Sequence, residues 1–142
     1  MRPAEVRFYI DADILGLGKV LAALRSDVTH PGDPGRLLKG RLRPPCLVDD
    51  ARTKDPDWIP IVANAGWLII TRDRHIQDHR AEITKVIDHK ACLVALSAAD
   101  ARDTWTQLET LMCRWRDIEA LHGLPGPFIY TATRTSLTKV AI

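Results

Sequence analysis

The chain has 142 residues, the length of one domain, and its 46% hydrophobic and 27% charged residues are typical of a globular protein that buries its own core. Twenty lysines and arginines against eighteen aspartates and glutamates give a net charge of +2, which excludes a strongly basic domain. The number and spacing of the three cysteines exclude a disulfide framework, and no segment has the roughly 20 apolar residues of a membrane span, so we expect one cytoplasmic domain over residues 1–142.

The first element is predicted by the apolar run at residues 6–10, which reads as a β-strand. Apolar residues then recur at helical spacing from residue 14 to residue 24. Asp11 and Asp13 stand between the two elements. Because open parallel sheets bind ligands outside the carboxyl ends of their strands, this pair predicts a functional site at that position.

The next segment is rich in proline, glycine and charge and predicts a long connection, with short strands at residues 27–30 and 46–48. A helix follows. We expect Asp55 as its N-cap, Pro56 at its first position and Gly66 as its C-terminal stop.

A second apolar strand is predicted at residues 67–70, and it ends in Thr-Arg-Asp at residues 71–73. This repeats the opening arrangement, because Asp73 follows its strand as Asp11 follows the first. A helix through Ile76, Ile83 and Ile87 and a strand at residues 91–96 come next.

The longest helix is predicted at residues 98–121, with Ser97 and Asp100 as a capping box and an apolar stripe on one face. The stripe residues are Trp105, Leu108, Met112 and Trp115. Residues 128–142 have the composition of an edge strand or hairpin. The alternation of strands and helices predicts an α/β protein with a three-layer α/β/α architecture and a mostly parallel sheet.

Five carboxylates are predicted to meet at one edge of this sheet. Clustered carboxylates repel one another unless a cation neutralises them, and oxygen ligands favour Mg²⁺ or Mn²⁺ over zinc. Such an ion can activate water for attack on a phosphodiester. The five residues are Asp11, Asp13, Asp55, Asp57 and Asp73.

The stretches YIDAD and KDPDWIPIVANAGWLIITRD resemble the PIN and PIN-like ribonuclease domains. The similarity runs from about residue 6 to residue 88 and is closest to a subgroup in which DxxW opens the helix, here Asp55 to Trp58. It implies a PIN-like fold and a metal-dependent endoribonuclease that uses Mg²⁺ or Mn²⁺. The resemblance implies Asp11, Asp55 and Asp73 as catalytic metal ligands, with Asp13, Asp57 and Glu82 as secondary candidates.

The chain departs from the family pattern in one respect, since it has no glutamate between Asp11 and Asp55. Either Asp13 substitutes for that acid or the site has one ligand fewer. Glu82 resembles a glutamate of the subgroup, although we favour a solvent-facing partner for Lys85.

Several binding roles also follow as expectations. Arg72 and Arg74 flank Asp73 and are candidates for holding RNA phosphates. Trp105 and Trp115 could stack bases, but their spacing favours core or interface packing. Small PIN domains resemble the toxins of bacterial type II toxin–antitoxin pairs, which implies a cognate antitoxin over the acidic edge and a homodimer through the helix at residues 98–121.

Three other interpretations remain open. In a HAD-type phosphohydrolase Asp11 would be the nucleophile, Asp13 the general acid and Thr71 a phosphate ligand, but the later aspartate pair of that class is missing. A receiver domain lacks a strand-end lysine. A catalytically degenerate PIN-like binding module would bind RNA without cutting it.

Overall fold

A six-stranded sheet with helices on both faces forms the centre of the molecule. The computed structural model describes residues 2–72 and 80–142. The strands are β1 (Arg2–Pro3), β2 (Phe8–Ile10), β3 (Val28–Thr29), β4 (Arg36–Leu38), β5 (Arg41–Arg43), β6 (Leu68–Arg72), β7 (Cys92–Leu96), β8 (Phe128–Ala132) and β9 (Leu137–Val140). The helices are α1 (Leu15–Leu24), α2 (Asp55–Asn64), α3 (Arg80–Asp88) and α4 (Thr104–Leu121).

The strand order of the main sheet is β3-β2-β6-β7-β8-β9. The first five strands are parallel, and β9 closes the sheet by pairing antiparallel to β8. The chain passes from β2 to β3 on one side and later returns to place β6 on the other side of β2. The strand order therefore reverses between β2 and β6, which is the position at which open α/β sheets bind ligands.

The two faces of the sheet carry separate hydrophobic cores, which confirms the predicted three-layer α/β/α fold with a mostly parallel sheet. Alternate residues of a strand point to opposite faces, so Phe8 and Ile10 pack with α1 and α4 while Tyr9 packs with α2. The first core also contains Leu17, Leu21, Leu111, Ile118 and Leu121. The second contains Trp58, Ile59, Val62, Ile69, Val86 and Leu93.

Two glycines allow α1 to lie close to its neighbours. A Cβ on Gly18 would lie 3.2 Å from the Cβ of Ile10 and 3.0 Å from that of His30, and one on Gly16 would lie 2.7 Å from the Thr104 hydroxyl oxygen. The glycines of the GLG sequence therefore hold α1 against β2 and α4 directly after the aspartate pair.

The connection before α2 differs from the prediction. The strand expected at residues 46–48 is absent there, and Cys46 and Val48 instead fill the second core as irregular chain. The strands of this region are β4 and β5, which form an antiparallel hairpin with β1 alongside β5. The predicted strand at residues 27–30 is confirmed as β3.

A buried ion pair fastens this hairpin to the main domain. The Nε of Arg43 donates to Oδ2 of Asp33 at 2.7 Å, and both side chains are almost completely buried. Asp33 also accepts hydrogen bonds from the Thr29 hydroxyl at 2.9 Å and the Gly35 N–H at 2.9 Å. Burial favours the protonated acid, but these hydrogen bonds outweigh it and lower the pKa of Asp33 below its ordinary value.

Two helix caps were predicted at the wrong residues. Asp103, not Ser97, caps α4, and it forms a capping box with Thr106. Lys54 takes the N-cap position of α2, so that helix begins at Asp55 itself. Capping boxes depend on local backbone angles, which the sequence pattern determines only to within a few residues.

The predicted apolar stripe of α4 is only partly buried. Trp115 is half-buried, with its ring 4.7 Å from that of Phe8, and Leu108 packs on the first core. Trp105 and Met112 instead point outward, with 74% and 69% of their surface exposed. Ile76 of the next predicted helical stripe lies outside the described residues.

None of the helices in the described part of the chain is both long and apolar enough to cross a membrane.

Candidate functional site

Asp11 lies at the end of β2 where the strand order reverses, and only 3% of its surface is exposed. Its N–H donates to the carbonyl of Ile70 at 2.9 Å and so continues the pairing with β6. One carboxylate oxygen accepts from the N–H of Ala12 at 2.6 Å, and the other accepts from the Thr71 hydroxyl at 2.9 Å. These contacts hold the carboxylate in a defined orientation.

Asp13 reaches the same hydroxyl from the 3₁₀ turn at Ala12–Ile14. Its two carboxylate oxygens lie 3.3 and 3.1 Å from Oγ1 of Thr71, and one of them accepts from the N–H of Arg72 at 3.2 Å. A hydroxyl has one proton and can donate to only one acid at a time. Asp11 and Asp13 therefore bring two acidic side chains to a single donor.

Thr71 was missed as a member of the acidic site, because the sequence analysis gave it a role only as a phosphate ligand in the phosphohydrolase alternative. It is buried at the carboxyl end of β6. The signal was present in the alternation along the strand. Ile69 packs in the second core, so the residue two positions later lies on the same side of the sheet, at its end.

The start of α2 lies at the same edge of the sheet. The helix leads into β6 from its far end, so its first residue, Asp55, lies near the carboxyl ends of the strands. Trp58 is buried one turn later against Tyr9, with ring centroids 5.1 Å apart, and this contact ties the DxxW segment to the strand that ends in Asp11. Asp57 is exposed.

Glu82 lies in the first turn of α3, and only 8% of its surface is exposed. The expectation that it faces solvent beside Lys85 is therefore wrong. Burial of a glutamate is costly unless polar contacts compensate for it, so a buried glutamate at the start of a helix that leads into β7 is a stronger site candidate than the sequence indicated.

The remaining predicted site residues are described less fully. Asp73 and Arg74 lie outside the described residues, as does the side chain of Asp55. Arg72 is half-buried and takes part through its backbone N–H. Within residues 2–72 and 80–142, no three acidic, histidine or cysteine side chains lie together as a metal-binding group.

The donor set that the structure does describe fits a hard divalent cation. Asp11, Asp13 and Thr71 offer oxygen atoms alone, and Mg²⁺ and Mn²⁺ prefer such ligands. Two carboxylates around one oxygen also concentrate negative charge, which a cation would stabilise. The chemistry that this arrangement favours is the binding of a metal ion at the switch point of the sheet.

Fold and site together define an α/β/α protein with an acidic edge where its parallel strands end. Over residues 6–98 the chain matches the model of the PIN-like domain family, and it belongs to that family. PIN-like domains are generally nucleases that use divalent metals. Comparison with curated proteins and with solved structures finds no match.

Proposed function

We propose that this protein is an endoribonuclease that depends on Mg²⁺ or Mn²⁺. The observation that carries the proposal is the convergence of Asp11 and Asp13 on the Thr71 hydroxyl, in a chain that belongs to a family of nucleases. The position of this group at the reversal of strand order supports the same conclusion.

The metal ligands in this proposal follow from position and chemistry. Bound there, a divalent ion would lower the pKa of a water molecule and stabilise the oxygen that leaves the phosphodiester. Asp13 is a further ligand or the base that orients the attacking water, and Asp57 is a weaker candidate for the same role. The proposed metal ligands are Asp11, Asp55 and Asp73.

Two acidic residues can take the place of the glutamate that the chain lacks between Asp11 and Asp55. Asp13 contacts the same hydroxyl as Asp11. Glu82 is buried in the first turn of α3, which supports a role for it at this edge. Arg72 and Arg74 are proposed to hold phosphates of the RNA, since guanidinium groups bind phosphate oxygens in pairs.

The test is cleavage of a mixed RNA pool by the purified protein with Mn²⁺ and with EDTA, beside a generic phosphatase substrate. We expect cleavage of RNA that EDTA abolishes and no release of phosphate from the phosphatase substrate. Phosphate release without RNA cleavage would favour the HAD-type phosphohydrolase. RNA binding without cleavage in Mn²⁺ would contradict the nuclease and favour a degenerate binding module.

We also propose that the protein is the toxin of a bacterial type II toxin–antitoxin pair and acts in the cytoplasm. The support is the resemblance of small PIN domains to such toxins, here of the subgroup marked by Asp55 to Trp58. The cognate antitoxin would cover the acidic edge. Expression in a bacterial host should arrest growth, and the Asp11→Asn variant should not; normal growth with active, soluble protein would contradict this role.

A further inference from the structure

The outward face of α4 carries large apolar side chains that no other part of the described chain covers. Trp105 is 74% exposed and Met112 is 69% exposed. They lie seven residues apart, which is about two helical turns, and so share one face. A groove of about 240 Å³ runs between them, lined by Trp105, Leu108, Glu109, Met112 and Cys113.

Exposure of this kind is unusual for a folded chain. Scattered apolar residues are common on protein surfaces, but a tryptophan and a methionine that line one groove form a contiguous patch. Tryptophan is also the residue most often found at the energetic centre of protein interfaces. The face therefore has the properties of an interaction surface.

The charges on the face identify what covers it. Going along the helix, the residues on this face are Trp105, Glu109, Met112 and Arg116, so one acid and one base lie on either side of the methionine. Arg116 is exposed and has no ion-pair partner within the described residues. Glu109 accepts from Arg134 through Oε1 at 2.9 Å, and its Oε2 lies beside the groove's other charges.

A second copy of α4 packed antiparallel on the first satisfies this pattern. Place the two-fold axis between positions 111 and 112 of the helix. Each Met112 then meets its own copy, and Arg116 of the second copy falls between Trp105 and Glu109, roughly 3 Å along the axis from each. There its guanidinium can pair with the carboxylate and lie on the indole ring.

We propose that the protein forms a two-fold symmetric dimer through antiparallel packing of α4 on α4 of a second copy, with Trp105, Glu109, Met112 and Arg116 as its centre. Glu109 argues against RNA as the ligand of this face, because its carboxylate repels phosphate. The inference does not depend on the proposed nuclease activity, and it narrows the expected helix-mediated dimer to four residues.

The first experiment measures the mass of the protein in solution by light scattering over a range of micromolar concentrations. We expect a mass of twice the 15.9 kDa of one chain. Met112→Glu places two like charges at the two-fold axis and should raise the dissociation constant at least tenfold. Leu47→Glu is the matched control, since Leu47 is 61% exposed outside α4, and it should leave the dimer unchanged.

The second experiment exchanges the two charges. Arg116→Glu alone should weaken the dimer, because it sets two acids against each other, and the double variant Glu109→Arg/Arg116→Glu should restore association to within a few-fold of the original. Recovery of this kind requires that the partner is a second copy of the chain. Thermal melts of each variant check that the fold is retained.

Three results would overturn the proposal. A wild-type protein that stays at the mass of one chain up to about 100 µM has no such dimer. A dimer that persists in Met112→Glu and Arg116→Glu has its interface elsewhere. A double variant that remains monomeric contradicts the pairing of Arg116 with Glu109.

Discussion

Asp11 and Asp33 are both buried, with 3% and 4% of their surfaces exposed, and each accepts one hydrogen bond from a threonine hydroxyl at 2.9 Å and one from a backbone N–H. They differ in the charged group nearest to that threonine contact. The carboxylate of Asp33 pairs with the guanidinium of Arg43, whereas the hydroxyl that binds Asp11 also lies against the carboxylate of Asp13.

This difference teaches that burial alone does not mark an aspartate as functional. A buried ion pair balances its charge within the chain and serves the fold. Two carboxylates that share one hydroxyl concentrate charge of one sign, and an arrangement of that kind favours a cation from outside the chain. Removing one aspartate should therefore abolish activity, while breaking the contacts of the other should weaken folding.

The strongest test of the comparison is Asp11→Asn. We expect RNA cleavage to fall by about 1,000-fold or more, beyond the 10–100-fold loss typical of residues that only orient a metal ligand. Asparagine retains the size of the side chain, so the melting temperature in metal-free buffer should not fall, and relief of repulsion from Asp13 would raise it. Full activity in this variant would refute the assignment.

The matched control for that variant is Asp117→Asn. Asp117 is an exposed acid near the C-terminal end of α4 and pairs with Arg114. Its amide variant should cleave RNA at the wild-type rate, so that a loss in Asp11→Asn cannot be attributed to a change of net charge.

Arg43→Met tests the other half of the comparison. It leaves the buried carboxylate of Asp33 without its guanidinium and should cost about 3–5 kcal/mol of unfolding free energy, measured by urea denaturation. Arg52→Met is the control, because Arg52 is an exposed partner of Asp50, and it should have no measurable effect on stability. Equal effects of the two variants would show that the buried pair does not secure the hairpin.

Thr71→Val sharpens the comparison at the acidic edge. Valine has the shape of threonine without the hydroxyl that orients Asp11 and Asp13, so we expect cleavage to fall by about 10–100-fold. Thr71→Ser retains the hydroxyl and should recover most of the activity. Equal losses in both variants would indicate that packing at this position matters and the hydrogen bonds do not.

The smallest effect concerns pH. Because the pKa of Asp33 is lowered in the folded state, its contribution to stability is complete above the unfolded pKa of about 3.9 and is lost as the pH falls toward the folded value. Unfolding free energy should therefore decline below about pH 4, and Asp33→Asn should flatten that part of the curve. An unchanged slope in the variant would mean that other acids account for the decline.

Much of the fold was accessible from the sequence because the periodicity of apolar residues reports which elements form. The apolar runs that became β2, β6 and β7, the helices between them and the terminal hairpin all follow from spacing alone. Asp11 was predicted at the end of its strand for the same reason. The matching family model over residues 6–98 covers this predictable part of the chain.

Side-chain environments were decided by tertiary packing. The helical pattern gave Trp105 and Trp115 the same status, yet Trp115 meets Phe8 while Trp105 faces outward, since the angle at which α4 crosses the sheet selects its buried face. Glu82 was expected in solvent and is buried for the same kind of reason.

The sequence by itself determined the order of strands and helices and the presence of acidic residues where strands end. Only the tertiary structure decided that Thr71 joins Asp11 to Asp13 and that Arg43 neutralises Asp33. The physical reason is that local pattern depends on the backbone and on neighbouring residues. The charge that surrounds a buried carboxylate depends on residues brought together from distant parts of the chain.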